Sequence, residues 1–394
     1  MNKFQIESDG NKGIPIFSWC EDIEESALAQ IANLAQLPFA YHHIAILSDC
    51  HAGYGMPIGG VLATKGVIIP NAVGVDVGCG MVAMKTSLTD ISQEEIKTLF
   101  GGTAEHHGGI RELIPVGFNH QDKKCDESEM PTVTDELVVS AEYESARKQL
   151  GSLGGGNHFL EIQKGSDGFI WVMIHSGSRN LGLQVAKHYN IIARHLNEKY
   201  FSAVPLSYDL AFLPLDSTEG QAYIKEMNYC VEFANRNRHK MMKAVMGEME
   251  NMFSGIMFDG ILEAIHNYAS IENHYGENVW VHRKGATLAR KGTVGIIPGS
   301  QGTFSYIVEG LGNPESFMSC SHGAGRKMSR TKAIAELDLQ EEIKKMDGIV
   351  HGIRNQKDLD EAAGSYKDIK SVMEQQKNLV KVLVELKPLG VVKG

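Results

Sequence analysis

The amino-acid sequence predicts an α+β protein, with mixed β-sheets flanked by helices, folded as one compact domain over residues 1–394. Helical and strand-like apolar patterns alternate along the chain, and glycine-rich turns separate them. No internal repeat, low-complexity tract or proline-rich linker divides the sequence. Candidate site residues run from 49 to 326 without a change in composition, so we expect an active site assembled from glycine-rich loops.

The elements follow from apolar periodicity and turn signals. The predicted helices cover residues 21–36, 138–150, 182–200, 218–250, 331–346 and 368–385. The predicted strands cover residues 42–47, 60–64, 81–86, 169–175, 279–282 and 294–298, with 49–60 as a loop between the first two. Residues 101–137 mix Gly, His, Asp and Lys without periodicity, which predicts an irregular, mobile surface segment.

Charge and composition exclude several classes of protein. The net charge of −10 argues against a non-specific coat for nucleic acid. No apolar run approaches the ~20 residues that span a bilayer, and the N-terminus lacks the apolar core of a signal peptide. Six cysteines without a CxxC pair favour reduced thiols in the cytoplasm. Two cation-dense segments, 282–291 and 326–332, are either solvated surface or a polyanion site, and nearby glycine-rich histidine motifs favour the latter.

Five glycine-rich or histidine-bearing motifs, GVDVGCGM, GGGNHFLE, HSGSR, HNY and HGAGR, carry the side chains suited to chemistry. These are Asp76, Cys79, His158, His175, His266 and His322. Histidine, thiolate and carboxylate together suit a borderline or transition divalent metal. A lone cysteine is usually a small hydrophobe, but glycines and a nearby carboxylate favour a ligand, and its thiolate can bridge two metals.

The remaining candidates sit beside these motifs. Asn157, His158 and Glu161 follow a run of backbone N–H groups that can cradle phosphate, although no P-loop or dinucleotide fingerprint occurs. His175 is either a satisfied core histidine or, with Arg179 near, part of an oxyanion site. His322 is either a phosphoryl acceptor assisted by Arg326 or another metal ligand. The motif PGSQGTFSY contributes a loop able to hold a nucleotide through Ser300, Gln301 and Ser305. By pattern alone, His266 is an unremarkable helical histidine.

In order, DCHAGYGMPIGG, NAVGVDVGCGM, GGGNHFLEIQ, HSGSRNLG, HNY, HRKGAT, PGSQGTFSY, HGAGR and VVKG resemble the RtcB family of GTP-dependent RNA ligases. The resemblance covers nearly the whole chain and implies a single RtcB-like ligase domain. It departs at Asn180, where the family more often has glycine, and in 101–137, which matches no family segment. The first departure bears on RNA contacts and leaves the metal set intact.

The resemblance implies an enzyme that joins RNA 2′,3′-cyclic phosphate or 3′-phosphate ends to 5′-hydroxyl ends, in RNA repair or tRNA splicing. It implies GTP and two Mn²⁺ ions as cofactors, and leaves open an activating partner protein. Asp76, Cys79 and His158 would hold one metal, and Cys79, His175 and His266 the other. His322 would form a histidine–GMP intermediate, with Asp49 orienting it.

The resemblance also assigns the nucleotide and RNA contacts. The guanine nucleotide would lie against Asn157, His158, Glu161, His266, Asn267, Pro298, Gly299, Ser300, Gln301, Ser305, His322, Gly323, Ala324, Gly325 and Lys393. Arg326 would assist catalysis, and the basic segments around Arg179, Arg283, Lys284 and Arg326 would bind RNA. Composition alone would read Lys393 as part of a frayed tail.

Two other functions compete with this interpretation. A two-metal phosphoesterase acting on RNA ends would use the same Asp, Cys and His set, but it needs no guanine pocket. A non-catalytic RNA-binding protein would not need an intact ligand set. The metal is a further open point, because ligands of this type bind Zn²⁺ more tightly than Mn²⁺.

Overall fold

The structure is a computed structural model that describes residues 1–8, 11–102, 108–132 and 137–394. In this part of the chain the strands are β1 (Asn2–Phe4), β2 (Glu7–Ser8), β3 (Asn11–Lys12), β4 (Ile16–Ser18), β5 (Ala40–His51), β6 (Ile58–Thr64), β7 (Val67–Ile68), β8 (Gly80–Lys85), β9 (Phe159–Gly165), β10 (Ile170–Ser176), β11 (Leu213–Pro214), β12 (Leu262–Ile265), β13 (Asn267–His274), β14 (Glu277–Lys284), β15 (Ala286–Leu288), β16 (Val294–Ile297), β17 (Ser305–Gly310), β18 (Ser319–Ser321) and β19 (Val380–Lys393).

The α-helices of the same residues are α1 (Glu25–Ala35), α2 (Pro70–Val73), α3 (Gln93–Gly101), α4 (Gly109–Leu113), α5 (Leu137–Gln149), α6 (Arg179–Lys199), α7 (Thr218–Met252), α8 (Arg330–Glu336), α9 (Leu339–Lys345) and α10 (Ile369–Gln375). Short 3₁₀ helices cover Glu127–Glu129, Leu206–Tyr208, Pro314–Ser316, Gln356–Glu361 and Ala363–Ser365. None of these helices combines the length and apolar character needed to cross a bilayer.

Two large sheets organise the described residues and confirm the α+β class. A six-stranded sheet has the order β1-β4-β5-β6-β14-β13, and a seven-stranded sheet has the order β12-β8-β10-β9-β19-β17-β16. The pair β4–β5 is parallel, whereas the other pairs in these sheets are antiparallel, so the sheets are mixed as predicted. Edge strands β12 and β16 come within 8 Å (Cα to Cα), which curls the seven-stranded sheet toward closure.

Apolar cores cover the faces of both sheets. Helix α1 packs on the six-stranded sheet through Ile31 and Leu34, which are buried against Ile44 and Ile46 of β5. The methionines of α7, including Met241 and Met249, pack with β8 and β10. This position confirms that the methionine-rich helix serves the core. Burial of this kind supplies the main driving force for folding.

The chain passes from the seven-stranded to the six-stranded sheet at His266, the single residue between β12 and β13. The prediction of a helix around His266 was therefore wrong. The apolar positions in ILEAIHNYAS fit a helical period over a short window, but they lie in two successive strands. The crossing places this histidine between the two sheets.

Three other predicted elements differ from the structure. The predicted loop 49–60 is shorter, because β5 continues to His51 and β6 begins at Ile58. The predicted helix 331–346 is two helices, since Asp338 caps a new start by accepting from Glu341 N at 2.9 Å. The predicted helix 368–385 ends at Gln375, and the alternating valines that follow belong to β19, which brings Lys393 beside Phe159 instead of into a frayed tail.

The segment 101–137 is more ordered than predicted where the structure describes it. It contains α4 and a 3₁₀ turn, and Ile110 and Ile114 are buried in the core beneath α7. Residues 103–107 and 133–136, to which the same prediction applies, lie outside the described residues. The rest of the segment is irregular and mostly exposed.

Candidate active site

The functional side chains gather where strands of the seven-stranded sheet reach the same edge. Neighbouring strands run antiparallel, so the start of one lies beside the end of the next. Cys79 precedes β8, His158 precedes β9, His175 lies near the end of β10 and His266 follows β12. The register places His175 beside Phe159 and Ile265 beside Gly80, which brings these four side chains into one cluster.

The cluster is tight and built around the thiol. Cys79 Sγ lies 3.3 Å from His175 Nε2 and 3.5 Å from His158 Nε2. His175 Nε2 lies 3.2 Å from His266 Nε2, and His158 Nε2 lies 2.9 Å from Asp76 Oδ2. The ligand atoms of Cys79, His158 and His175 lie within 4.8 Å of one another. One sulfur atom is therefore in reach of two histidine groups.

Burial and hydrogen bonds set the protonation of these histidines. His175 Nδ1 donates to Asn157 O at 3.1 Å, so its lone pair is on Nε2, which faces the cluster. Burial lowers the pKa of His175 and of His266 well below the ordinary range, which keeps both rings neutral. Burial acts to raise the pKa of Asp76, but His158 outweighs it by hydrogen bond and charge and lowers the pKa to about 2.

The donor set fits a divalent transition metal. Neutral imidazole, thiol sulfur and ionised carboxylate converge, and this combination suits borderline metals. The Nδ1 atoms of His158 and His266 are buried without a hydrogen-bond partner. Burial and the charge of Asp76 raise the pKa of Cys79 well above its ordinary value, and a coordinated cation would reverse this by binding the thiolate.

His322 lies next to His266, with 4.8 Å between the centroids of the two rings. Its Nδ1 donates to Asp49 Oδ2 at 2.6 Å, and its backbone N donates to the same oxygen at 3.0 Å. Because the carboxylate accepts at Nδ1, the lone pair of the imidazole is on Nε2. The arrangement is that of a nucleophile oriented by a buried carboxylate.

Two glycines make room for this carboxylate. Gly59 has φ +81°, and a Cβ at this position would lie 2.7 Å from Asp49 Oδ1. Gly325 has φ +72°, and a Cβ there would collide with the backbone of Asp49. Gly59 of DCHAGYGMPIGG and Gly325 of HGAGR are therefore required by one residue, Asp49, and by the strand end that carries it.

A cavity of about 640 Å³ opens beside His322. The predicted residues that line it are His175, Asn157, Glu161, Pro298, Gly299, Ser300, Gln301, His322, Gly323, Ala324, Gly325, Arg326 and Lys393. Burial raises the pKa of Glu161 to about 8, with Lys393 acting in the opposite direction. Burial lowers the pKa of Lys393, against the charges of Glu361 and Glu161. A cavity of this size suits a nucleotide-sized ligand.

Other predicted residues lie behind the cavity wall. Ser305 Oγ accepts from Gly299 N at 3.1 Å and so shapes the 298–301 loop. Asn267 uses both ends of its amide inside the protein, donating to Asp76 O at 3.0 Å and accepting from Gly285 N at 2.9 Å. Direct nucleotide contact by these two residues stays a prediction.

The prediction that Arg283 and Lys284 bind RNA was wrong. The other cations of the segment 282–291, Arg290 and Lys291, are exposed. Arg283 is fully buried and forms an ion pair with Glu272 on the neighbouring strand. Lys284 is buried, with Nζ donating to Tyr54 O at 2.6 Å and Asn71 O at 3.0 Å. Arg179 is only half-buried, and Arg326 lines the cavity while donating to Glu361 at 2.7 Å. Burial separates Arg283 and Lys284 from the cations that reach the cavity or the surface, and a charge pattern in the sequence does not reveal burial.

Sequence reasoning missed several residues of the cavity wall. His51 ends β5 inside the DCHAGYG motif, its Nδ1 donates to Asp49 O at 2.9 Å, and burial lowers its pKa to about 4. The motif itself was the signal that pointed to it. Glu361 and Tyr366, which hydrogen-bond to each other, come from a stretch without motif or periodicity, so no local signal marked them.

Comparison with known proteins gives a consistent set of relatives. A family model described as "tRNA-splicing ligase RtcB" matches residues 30–394. The RNA-splicing ligase RtcB of Escherichia coli (strain K12) is 37% identical over 406 residues, spanning 97% of this chain and 96% of that protein. The tRNA-splicing ligase RtcB of Pyrobaculum aerophilum is 33% identical, spanning 94% and 91%. That of Methanococcus maripaludis is 32% identical, spanning 95% and 92%.

Proposed function

The chain belongs to the RtcB family and is an RNA ligase, and from that premise we propose that it uses GTP and Mn²⁺ to join RNA 2′,3′-cyclic phosphate or 3′-phosphate ends to 5′-hydroxyl ends. The single observation that carries the proposal is the imidazole of His322. Its Nδ1 is fixed by Asp49 at 2.6 Å, which leaves Nε2 as the nucleophile next to the cavity and the Cys79 cluster.

Two Mn²⁺ ions would be held by residues already in place. Asp76, Cys79 and His158 would bind one, and Cys79, His175 and His266 would bind the other, with the thiolate shared. Such a pair stabilises negative charge on the attacking and leaving oxygens of phosphoryl transfer.

The reaction proceeds by two displacements and a sealing step. His322 Nε2 attacks the α-phosphorus of GTP, forming an N–P bond as the bond to pyrophosphate breaks. An oxygen of the RNA 3′-phosphate then takes the GMP and breaks the N–P bond. The 5′-hydroxyl oxygen attacks the activated 3′-phosphorus, which forms the phosphodiester and releases GMP and the hydroxyl proton. A cyclic end is first opened by water to the 3′-phosphate.

The cavity wall supplies the guanine nucleotide site in this proposal. Asn157, Ser300, Gln301 and the backbone of 323–325 would hold the phosphates and ribose. Glu161 is protonated over much of the neutral range, since its pKa is raised to about 8, and can both donate to and accept from a base edge. Lys393, fixed at the end of β19, would lie beside the same base.

We place this activity in RNA repair or tRNA splicing, in the cytoplasm. The names of the relatives support RNA splicing as the process. All six cysteines are unpaired and buried, which agrees with a reducing compartment. RNA with the stated ends is the substrate in each case.

The test is incubation of purified protein with α-labelled GTP and MnCl₂, followed by a denaturing gel. We expect acid-labile, alkali-stable label on the wild type and none on His322→Ala. The control His195→Ala replaces an exposed histidine of α6 and should label normally. Absence of label from wild-type protein that is loaded with metal and free of bound GMP would contradict the proposal and favour a phosphoesterase acting on RNA ends.

A further inference from the structure

One exposed loop outside the proposed chemistry is fastened directly to the active site. Gly117 N donates to Gly154 O at 2.9 Å, and Arg179 Nη2 donates to Gly117 O at 2.9 Å. Val116 also forms an isolated parallel bridge with Gly154. Gly154 stands three residues before Asn157, which lines the cavity, so at most about 11 Å of chain separates the anchor from the cavity wall.

This anchored loop holds out the side chain of Phe118. The ring is 101% exposed, the highest value among the large hydrophobic side chains of the described residues. Single exposed apolar residues are common on protein surfaces and have no significance alone. Hydrogen bonds on both sides of Gly117 hold the backbone just before Phe118, so a ligand that binds this ring orders little additional backbone.

Cationic side chains come from the stretches of chain next to this loop, with Arg330 against Gly156 and Lys123 five residues after Phe118. Arg330 lines the cavity with half of its side chain exposed, and it lies so close to Gly156 that a side chain there would collide with it. Lys123 is exposed and has no ion-pair partner among the described residues. Asp122 is the single acidic residue between Phe118 and Lys124. Exposed aromatic rings together with nearby cationic groups are the usual platform for single-stranded nucleic acid.

We propose that Phe118 stacks on an unpaired base of the RNA strand that enters the cavity, within a few nucleotides of the reacting end. This inference rests on the proposed function and extends the site beyond the nucleotide cavity. Stacking on one aromatic ring contributes to affinity for any base, because every base has a π face. Phe118 therefore acts in binding and positioning the RNA and has no role in forming the histidine–GMP bond.

The experiment measures binding of a single-stranded 12-nucleotide RNA by fluorescence anisotropy, in one arm with a 3′-phosphate and in the other with a 5′-hydroxyl end. Phe118→Ala should raise the Kd about tenfold in at least one arm, whereas Phe118→Trp should bind as the wild type does. Phe201→Ala is the matched control, since Phe201 is 93% exposed but lies beyond the far end of α6, roughly 30 Å from Arg179.

The base is located by replacing one nucleotide at a time with an abasic site. Wild-type protein should lose about tenfold in affinity at one position, and Phe118→Ala should lose nothing more there. The labelling of His322 by GTP is carried out without RNA, so its extent should be equal in Phe118→Ala and wild type. Equal labelling also shows that the variant is folded.

Unchanged affinity of Phe118→Ala in both arms would overturn the inference. So would a Phe118→Trp variant that binds as weakly as Phe118→Ala, or an RNA in which no abasic position matters. Failure of the proposed function is distinguishable, because it would show as absent labelling of the wild type by GTP whatever the RNA affinities are.

Discussion

Two buried clusters of ionisable side chains both contain histidine, but they satisfy its hydrogen-bonding groups to different extents. The open cluster, defined as Cys79, His158, His175 and His266, brings lone pairs face to face and leaves Nδ1 of two rings without a partner. The closed cluster, defined as Glu272, His274 and Arg283, is saturated by its own hydrogen bonds. Among the described residues, no side-chain atom of the closed cluster is buried without a partner.

The closed cluster shows what a structural role requires. Glu272 accepts from both terminal nitrogens of Arg283 and from His274 Nε2 at 3.1 Å. Arg283 Nε donates to Ser319 Oγ at 2.9 Å. Burial acts to raise the pKa of Glu272, but His274 and Arg283 outweigh it and hold the pKa far below the ordinary value. Each charge is therefore compensated within the protein.

Without a bound cation, the open cluster leaves two buried ring nitrogens, Nδ1 of His158 and Nδ1 of His266, without hydrogen-bond partners. Unpaired buried polar atoms cost about 1–3 kcal/mol each, whereas the closed cluster avoids this cost through its own hydrogen bonds. The difference teaches that a buried histidine alone does not mark a candidate metal site: the open cluster adds a thiol and unpaired ring nitrogens, whereas the closed cluster is a saturated ion pair.

The largest effect is expected from Cys79→Ala. Loss of the shared sulfur should lower RNA joining more than about 100-fold, because each metal loses a ligand. The melting temperature of chelator-treated protein should change by no more than about 2 °C, since the thiol makes no strong bond within the fold. Joining of 3′-phosphate to 5′-hydroxyl RNA and thermal melting measure the two effects. Joining within a few-fold of wild type would break the comparison.

The converse is expected from Glu272→Gln in the closed cluster. Arg283 would keep its charge in a fully buried position, which should lower the free energy of unfolding by about 3–5 kcal/mol. Joining per folded molecule, assayed at low temperature, should stay within about twofold of wild type. Denaturant titration measures the stability. If Glu272→Gln unfolded with the wild-type free energy but no longer joined RNA, the result would support a role of Arg283 in RNA binding.

A smaller effect is expected from competition between metals. Thiolate and imidazole ligands favour Zn²⁺ over Mn²⁺, so equimolar Zn²⁺ should occupy the open cluster and lower joining about tenfold. Glu272→Gln should show the same sensitivity, because the closed cluster binds no metal. Joining that is highest with Zn²⁺ would contradict the assignment of Mn²⁺ as the working ion.

The smallest effect concerns the pH dependence of stability. The folded protein keeps the proton of Glu161 up to about pH 8, whereas the unfolded chain loses it near the ordinary value. Unfolding then releases a proton between these values, so the contribution of Glu161 to stability falls as pH rises from about 5 to 8.

In GTP-free protein, Glu161→Gln should remove this slope, so that the variant gains up to roughly 5 °C in melting temperature relative to wild type between pH 5 and pH 8. Gln163→Ala is the control, because it removes the bond to Glu161 at 2.6 Å but keeps the carboxyl. If the melting temperatures of wild type and Glu161→Gln changed with pH in parallel, Glu161 would not be the group with the raised pKa.

Much of this site could be predicted from residue type and motif. Cys79 and His175 were predicted to be possible ligands from thiol and imidazole in glycine-rich stretches, and both lie in the open cluster. The edge that joins them could not be predicted, because it depends on a strand order that pairs β8 with β10 and β12 across long separations in sequence. His266 entered only by family resemblance, since its local pattern fits a helix as well as a strand.

The errors have a common physical cause. The helix predicted over 368–385 was extended past Gln375 into alternating valines that favour a strand, and pairing with β17 and β9 fixes that strand in the sheet. Arg283 looked like a surface cation because its partner Glu272 becomes a neighbour only when β13 pairs with β14. Contacts remote in sequence decided both.

The most direct test of the comparison is the number of Mn²⁺ ions bound per chain, measured by equilibrium dialysis with paramagnetic resonance detection. The account predicts two ions for wild-type protein and for folded Glu272→Gln, and no tightly bound ion for Cys79→Ala. Two tightly bound ions in Cys79→Ala, or loss of both in folded Glu272→Gln, would contradict the claim that the open cluster is the metal site.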